Sequence, residues 1–158
     1  MFKRLRLICL VANCVSFVSY SQEVKVIDLT TLQSEFMNHQ DTTYVVNFFA
    51  SWCSPCLKEL PDFVSFSQNI GTKKIKVLFV SLDSKEDYST SLTPLIEKFG
   101  LPKTVFLLNE SLSGPWIDQI DSTWSGSIPA TWIYKNGGKE KQLYAEQMSE
   151  ARLNKLLK

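Results

Sequence analysis

Apolar positions along this chain recur with two periods. Residues 24–29, 43–50, 75–82 and 104–108 are short runs rich in β-branched and aromatic side chains, with the length and composition of strands. The run at 75–82 is continuously apolar rather than alternating, the pattern of a strand covered on both faces, and such strands need crossover helices. Helical spacing fills the gaps. Thr30 or Thr31 can cap a helix running to about His39, and residues 54–69 read as one long helix. Leu92, Leu95, Ile96 and Phe99 mark the inward face of another over 88–99, stopped by Gly100, Leu101 and Pro102. Pro61 lies inside the long helix, where it removes one backbone hydrogen bond and should kink the axis.

Residues 111–120 read as an irregular or short helical segment entered through Gly114 and Pro115. Ala130–Lys135 and Glu140–Tyr144 flank Asn136, Gly137 and Gly138, a hairpin signal because Asn and Gly tolerate the positive φ of a tight turn. Ser149 caps a last helix whose inward face is Ala151, Leu153, Leu156 and Leu157. The order βα, βα, βα with an inserted βα, then ββα predicts an α/β fold, a three-layer α/β/α sandwich around a mixed sheet.

A length of 158 residues suits one domain, and 44% hydrophobic with 21% charged residues is ordinary for a soluble globular chain. The N-terminus changes that picture. Lys3, Arg4 and Arg6 precede an almost wholly apolar stretch at 7–17, and Ser19-Tyr20-Ser21 puts small residues, Ser19 and Ser21, at the −3 and −1 positions of a cut before Gln22. Residues 1–21 therefore read as a secretory signal peptide and 22–158 as the mature domain, periplasmic or otherwise exported. The competing reading is an uncleaved anchor that leaves the domain facing outward, although residues 5–20 fall short of the ~20 needed to span a bilayer. Lipid attachment at Cys14 is disfavoured by the size of Asn13 before it. Losing the leader removes three of 17 basic residues and none of the 16 acidic ones, so no electrostatic case for nucleic-acid binding remains.

Four cysteines divide two and two. Cys9 and Cys14 lie in the leader, so the mature chain keeps only Cys53 and Cys56, spaced CxxC, and no disulfide framework can be built from them. The run 43–50 delivers this pair to the first turn of the long helix. A helix start leaves N–H groups without partners and concentrates partial positive charge, which favours a thiolate on the leading cysteine. Cys53, nearer the helix end and solvent, is expected to be the nucleophile and Cys56 the resolving thiol. Pro55 fixes the backbone between them. A CxxC is also half of a zinc site, but zinc would need two more ligands, and the mature chain offers no third cysteine and only His39. No metal and no separate cofactor is expected; the redox group is the Cys53–Cys56 disulfide itself.

The segment 45–61, with Trp52-Cys53-Ser54-Pro55-Cys56 at its centre, resembles the active-site segment of the thioredoxin superfamily, most closely its TlpA/ResA-like thiol-disulfide oxidoreductases. A second patch, Ser127-Ile128-Pro129-Ala130-Thr131, resembles that family's cis-proline loop, and the resemblance covers roughly residues 24–157. It implies a thioredoxin-like sandwich with an inserted strand and helix at about 104–120. It implies a cis bond at Pro129 that turns the backbone of Ile128 toward the sulfurs, where an extended substrate can pair; the plain alternative is a loop proline before a strand. Beside the nucleophile, Trp52 is either a core aromatic or, as the resemblance implies, a substrate contact, with Ser54 and Pro55 next to it. Asn47 stands where plain thioredoxin has a buried acid on the strand, whereas Glu59 occupies the position at which the ResA-like branch carries an acid near the thiols. A solvated helix residue is the alternative for Glu59. A copper chaperone on this fold would show CxxxC spacing and a distant histidine, and a peroxidase a Pro, Thr and Cys signature before the helix; none is present. The resemblance implies reduction of disulfides in exported proteins, for example an apocytochrome c, with oxidase or isomerase as the alternative direction. The implied partners are disulfide-containing proteins and a membrane-borne or thioredoxin-like electron donor.

Overall fold

The structure is a computed structural model that describes residues 23–37, 39, 41–102 and 104–158. The expected signal peptide, with Cys9 and Cys14, lies outside the described residues. Six strands form one mixed sheet: β1 (Glu23–Ile27), β2 (Thr43–Phe49), β3 (Ile75–Ser81), β4 (Thr104–Leu108), β5 (Ala130–Lys135) and β6 (Glu140–Tyr144). Their spatial order is β1-β4-β3-β2-β5-β6. The first four are parallel, β5 runs antiparallel to β2, and β6 runs antiparallel to β5.

Five helices cover both faces: α1 (Leu29–Met37), α2 (Ser54–Gln68), α3 (Thr93–Phe99), α4 (Trp116–Ile120) and α5 (Glu150–Leu156). Each interior strand carries a two-sided apolar pattern because its side chains alternate between two separate cores. Val45 and Phe49 of β2 and Phe79 of β3 pack against α2, the turn ahead of α3, α3 itself and α5 through Leu60, Phe63, Leu92, Ile96 and Leu153. Val46 and Phe48 of β2 and Val80 of β3 pack on the other face with Leu29, Leu32, Trp116, Ile117 and Trp132. This is the expected three-layer sandwich, with β4 and α4 as the inserted pair.

Boundaries differ in three places for identifiable reasons. Helix α1 starts two or three residues early and is capped by Asp28, whose Oδ1 accepts the Thr31 N–H at 2.7 Å, so neither threonine is the cap. It ends at Met37, leaving His39 beyond it. The helix expected over 88–99 divides: Tyr88–Leu92 forms a wide π-type turn, and α3 begins at Thr93. Pro94 lacks an N–H and crowds the preceding turn, and the Thr93 N–H and hydroxyl both turn back to the Tyr88 carbonyl. In the hairpin, Asn136, Gly137 and Gly138 all have positive φ. Gly138 has a second reason to be glycine, since a Cβ there would overlap the Tyr134 ring.

Candidate active site

The carboxyl end of β2 runs directly into the cysteine turn. The Cys53 N–H donates to the Ala50 carbonyl at 3.1 Å, and the Leu57 N–H reaches the Cys53 carbonyl at 3.1 Å to start α2. Cys53 occupies the N-cap position, and its sulfur accepts the Cys56 N–H at 3.3 Å. Pro55, in the first turn, has no N–H to leave orphaned. Cys53 and Cys56 are joined by a disulfide, with Cα atoms 5.3 Å apart. The two cysteines are not equivalent. Cys56 is sealed in the core, Cys53 retains 5% exposure, and Ser54 and Pro55 are exposed. Trp52 stands 58% exposed beside the pair, outside both cores.

The turn is held from below by Asp83, just past β3. Both its carboxylate oxygens lie 3.0 Å from the Ser51 N–H; Oδ1 accepts the Ser51 hydroxyl at 2.7 Å and Oδ2 the Ser81 hydroxyl at 2.6 Å. Asp83 is almost fully buried. This clamp is absent from the sequence reading. Its signal is a lone acid following the apolar run 75–82, and nothing local says which donors it meets.

Glu59 lies three residues after Cys56 on the buried face of α2, with no exposed surface. The Asn47 side-chain amide donates to its Oε1 at 2.7 Å, and the Met148 N–H, from the turn before α5, donates to its Oε2 at 2.7 Å. Glu59 is thus not a solvated helix residue: it follows the same stripe as Cys56, Leu60 and Phe63. Burial pushes its carboxyl up to about 7; the two donated hydrogen bonds oppose that, and the nearby Asp62 carboxylate adds to it. Across the strands, Asn47 pairs in register with Thr131 on the same face. Asn47 Oδ1 and Thr131 Oγ1 are both buried without a hydrogen bond. Sequence reasoning flagged Asn47 only as a missing acid, placed Thr131 only within the cis-proline patch, and overlooked Met148.

The Ile128–Pro129 peptide bond is cis. Ala130 lies opposite Phe48, which sets the loop before it level with the turn that carries the cysteines. Pro129 is buried and Ile128 half-buried. Two tryptophans brace this loop. The Trp124 indole N–H donates to the Ser127 carbonyl at 2.9 Å, and Trp124 packs against Trp116 and Phe48 with ring centroids 5.6 Å and 5.4 Å away. Gly126 is required there, with φ +82 and a Cβ position blocked by Ile117. Trp116 and Ile117 belong to the inserted α4, so the insertion supports the loop. Among the described residues no group of three or more His, Cys, Asp or Glu side chains could hold a metal ion, and no helix is long and apolar enough to cross a membrane.

A cysteine pair capping a helix, faced by a cis-proline loop on a mixed sheet in which β5 runs against its neighbours, invites comparison with known proteins. Residues 20–139 match the AhpC/TSA family. The chain belongs to that family. Among curated proteins it is similar to thiol-disulfide oxidoreductases of the ResA type. The thiol-disulfide oxidoreductase ResA of Geobacillus kaustophilus is 20% identical over 139 residues, which is 87% of this chain and 74% of the relative. The crystal structure of StoA from Bacillus subtilis superimposes with a TM-score of 0.58 at 20% identity, covering 76% of this chain and 85% of that one. The pneumococcal exposed lipoprotein thioredoxin Etrx1 of Streptococcus pneumoniae gives 0.56 at 20% identity, covering 79% and 87%. These structural likenesses carry the fold.

Proposed function

We propose that this thiol-disulfide oxidoreductase is exported and reduces disulfides in other exported proteins, such as an apocytochrome c, with Cys53 and Cys56 as its working dithiol. The observation that carries the reading is the asymmetry of the pair: Cys53 caps the helix and keeps a small exposed fraction, whereas Cys56 is fully enclosed. In the reduced protein the Cys53 thiolate, favoured by the partial positive charge of the helix start, attacks a substrate sulfur. A mixed disulfide forms and the first substrate thiol leaves. Cys56 then gives its proton to the Glu59 carboxylate and attacks Cys53, releasing the second substrate thiol and leaving the Cys53–Cys56 disulfide. Two electrons and two protons pass to the substrate, and a membrane-borne or thioredoxin-like donor must return them. Trp52, Ser54 and Pro55 form one wall of the substrate contact, and the Ile128–Pro129 loop the other, where an extended strand pairs with the Ile128 backbone.

Direction follows from charge. Ser54 and Pro55 bring no cation to stabilise the thiolate, and an ionised Glu59 beneath Cys56 disfavours a second negative charge. Both features weaken the reduced form and suit a reductant. Equilibration with glutathione tests this: half-reduction nearer roughly −270 mV supports a reductase, and a value near roughly −120 mV makes the protein an oxidase. Cys56→Ser should accumulate a mixed disulfide with an oxidised protein substrate while Cys53→Ser captures none; the opposite pattern reverses the two roles.

A further inference from the structure

Charge on this domain is segregated along the sheet axis. Because β1 to β4 are parallel, their starting residues share one pole, and Cys53 follows the far end of β2 at the other. At the starting pole Lys73, Lys74, Lys135 and Lys158 line a single depression of about 340 Å³, and Lys139 lines the next one; Asp41 belongs to both. Lys76, second in β3, is exposed at the same end. The side-chain carboxylates in this lining are Asp41, which pairs with Lys74 at 3.2 Å, and Glu140, which accepts from Asn136. From Gln22 onward the chain as a whole is slightly acidic, so the lysine excess here is set against an acidic remainder.

Two further observations indicate what such a surface meets. The N-terminal segment, with its apolar stretch at 7–17, joins the domain at the start of β1, hence at this same pole. Among the described residues the exposed large apolar ones, Val26, Trp52, Tyr88 and Leu112, do not line either depression; the apolar side chains that do are the half-buried Ile75 and the buried Leu157. Protein interfaces are depleted in lysine and enriched in aromatics, whereas a polybasic surface without exposed large apolar anchors matches an anionic lipid surface. We propose that the lysine pole docks on an anionic phospholipid surface and holds the Cys53–Cys56 pair outward. The proposal rests on the export reading above. The seven residues of β2 span ~23 Å, so the pair stands at least that far from the lipid, open to exported substrates. Each lysine near such a surface multiplies the partition by roughly five, and salt beyond physiological strength screens the effect.

The test uses purified protein in the processed form the cell yields, sedimented with vesicles of phosphatidylcholine alone or with one-third phosphatidylglycerol. Preference for the anionic vesicles, lost at high salt, is expected. Lys73→Gln/Lys74→Gln/Lys139→Gln should lower anionic partition on the order of 100-fold, whereas Lys25→Gln/Lys85→Gln/Arg152→Gln, which removes the same charge away from this pole, should leave it near wild type. Both triples should reduce a soluble disulfide at the wild-type rate. Equal sedimentation with the two vesicle types, an unchanged partition in the first triple, or an equal loss in the second overturns the proposal. Failure of the redox reading would appear separately, as loss of disulfide reduction in solution.

Discussion

Replacing Glu59 by Gln should make the oxidised protein more stable at pH 8 and leave it nearly unchanged at pH 5. Glu59 is wholly buried, and its carboxyl is raised from an ordinary 4.5 to about 7, chiefly by that burial. Between those values the folded chain holds a proton that the unfolded chain has released, so stability falls as pH rises through this window. Above about 7 both forms are ionised and the loss is complete; below 4.5 both are protonated and there is none. The interval corresponds to about 3 kcal/mol at 1.36 kcal/mol per pH unit. Glutamine has the shape of the protonated acid. Its oxygen can accept the Met148 N–H, and if the Asn47 amide turns over, the unpartnered Asn47 Oδ1 accepts the new Nε2–H. Thermal melts of both oxidised proteins from pH 5 to 8.5 would read the effect. For a domain of this size the gain should reach roughly 10 °C at the alkaline end. Groups titrating elsewhere cancel in the difference. Melting curves separated by a constant offset at every pH would refute the reasoning, because the buried carboxyl would then not be changing charge in this window.

Asp83→Ala strands the Ser51 N–H and the Ser51 and Ser81 hydroxyls, and denaturant unfolding should show a loss on the order of 3 kcal/mol. Asp83→Asn, able to keep part of the set, should lose less. Trp124→Phe keeps the stacking on Phe48 and Trp116 but removes the bond to the Ser127 carbonyl; about 1 kcal/mol of stability should go, and KM for a protein disulfide should rise more than kcat falls in a reductase assay. Thr131→Val exchanges a buried hydroxyl that has no partner for a methyl of equal size, so the melting temperature should hold or rise by the equivalent of about 1 kcal/mol.

The comparison between sequence and structure divides by the range of the interactions involved. Where the information lies within one turn of helix or one strand pair, sequence reading succeeds. The apolar runs place β2 and β3 within a residue, the CxxC follows a strand and opens a helix, and Asn-Gly-Gly marks the hairpin. It slips where two local options are nearly equal: Asp28, Thr30 and Thr31 are all competent caps, and the widened turn ahead of Pro94 competes with regular helix at little cost.

Burial of a polar group is different in kind. Glu59 sits in a helix that also carries exposed Lys58 and Pro61, and its spacing from Cys56 says only which face it shares. That it is dry, and that its two oxygens meet a strand amide 12 residues back and a backbone N–H 89 residues on, depends on β2, α2 and the turn before α5 closing together. The same holds for Asp83 under the Ser51 turn and for Trp124 behind the cis-proline loop. The sequence alone determined the strands and helices, the cysteine pair and its place at a helix start, because these depend on covalent spacing and short-range backbone geometry. The tertiary structure alone decided which acid loses its water and which end of the sheet collects the lysines, because desolvation and charge clustering exist only once distant segments are brought into contact.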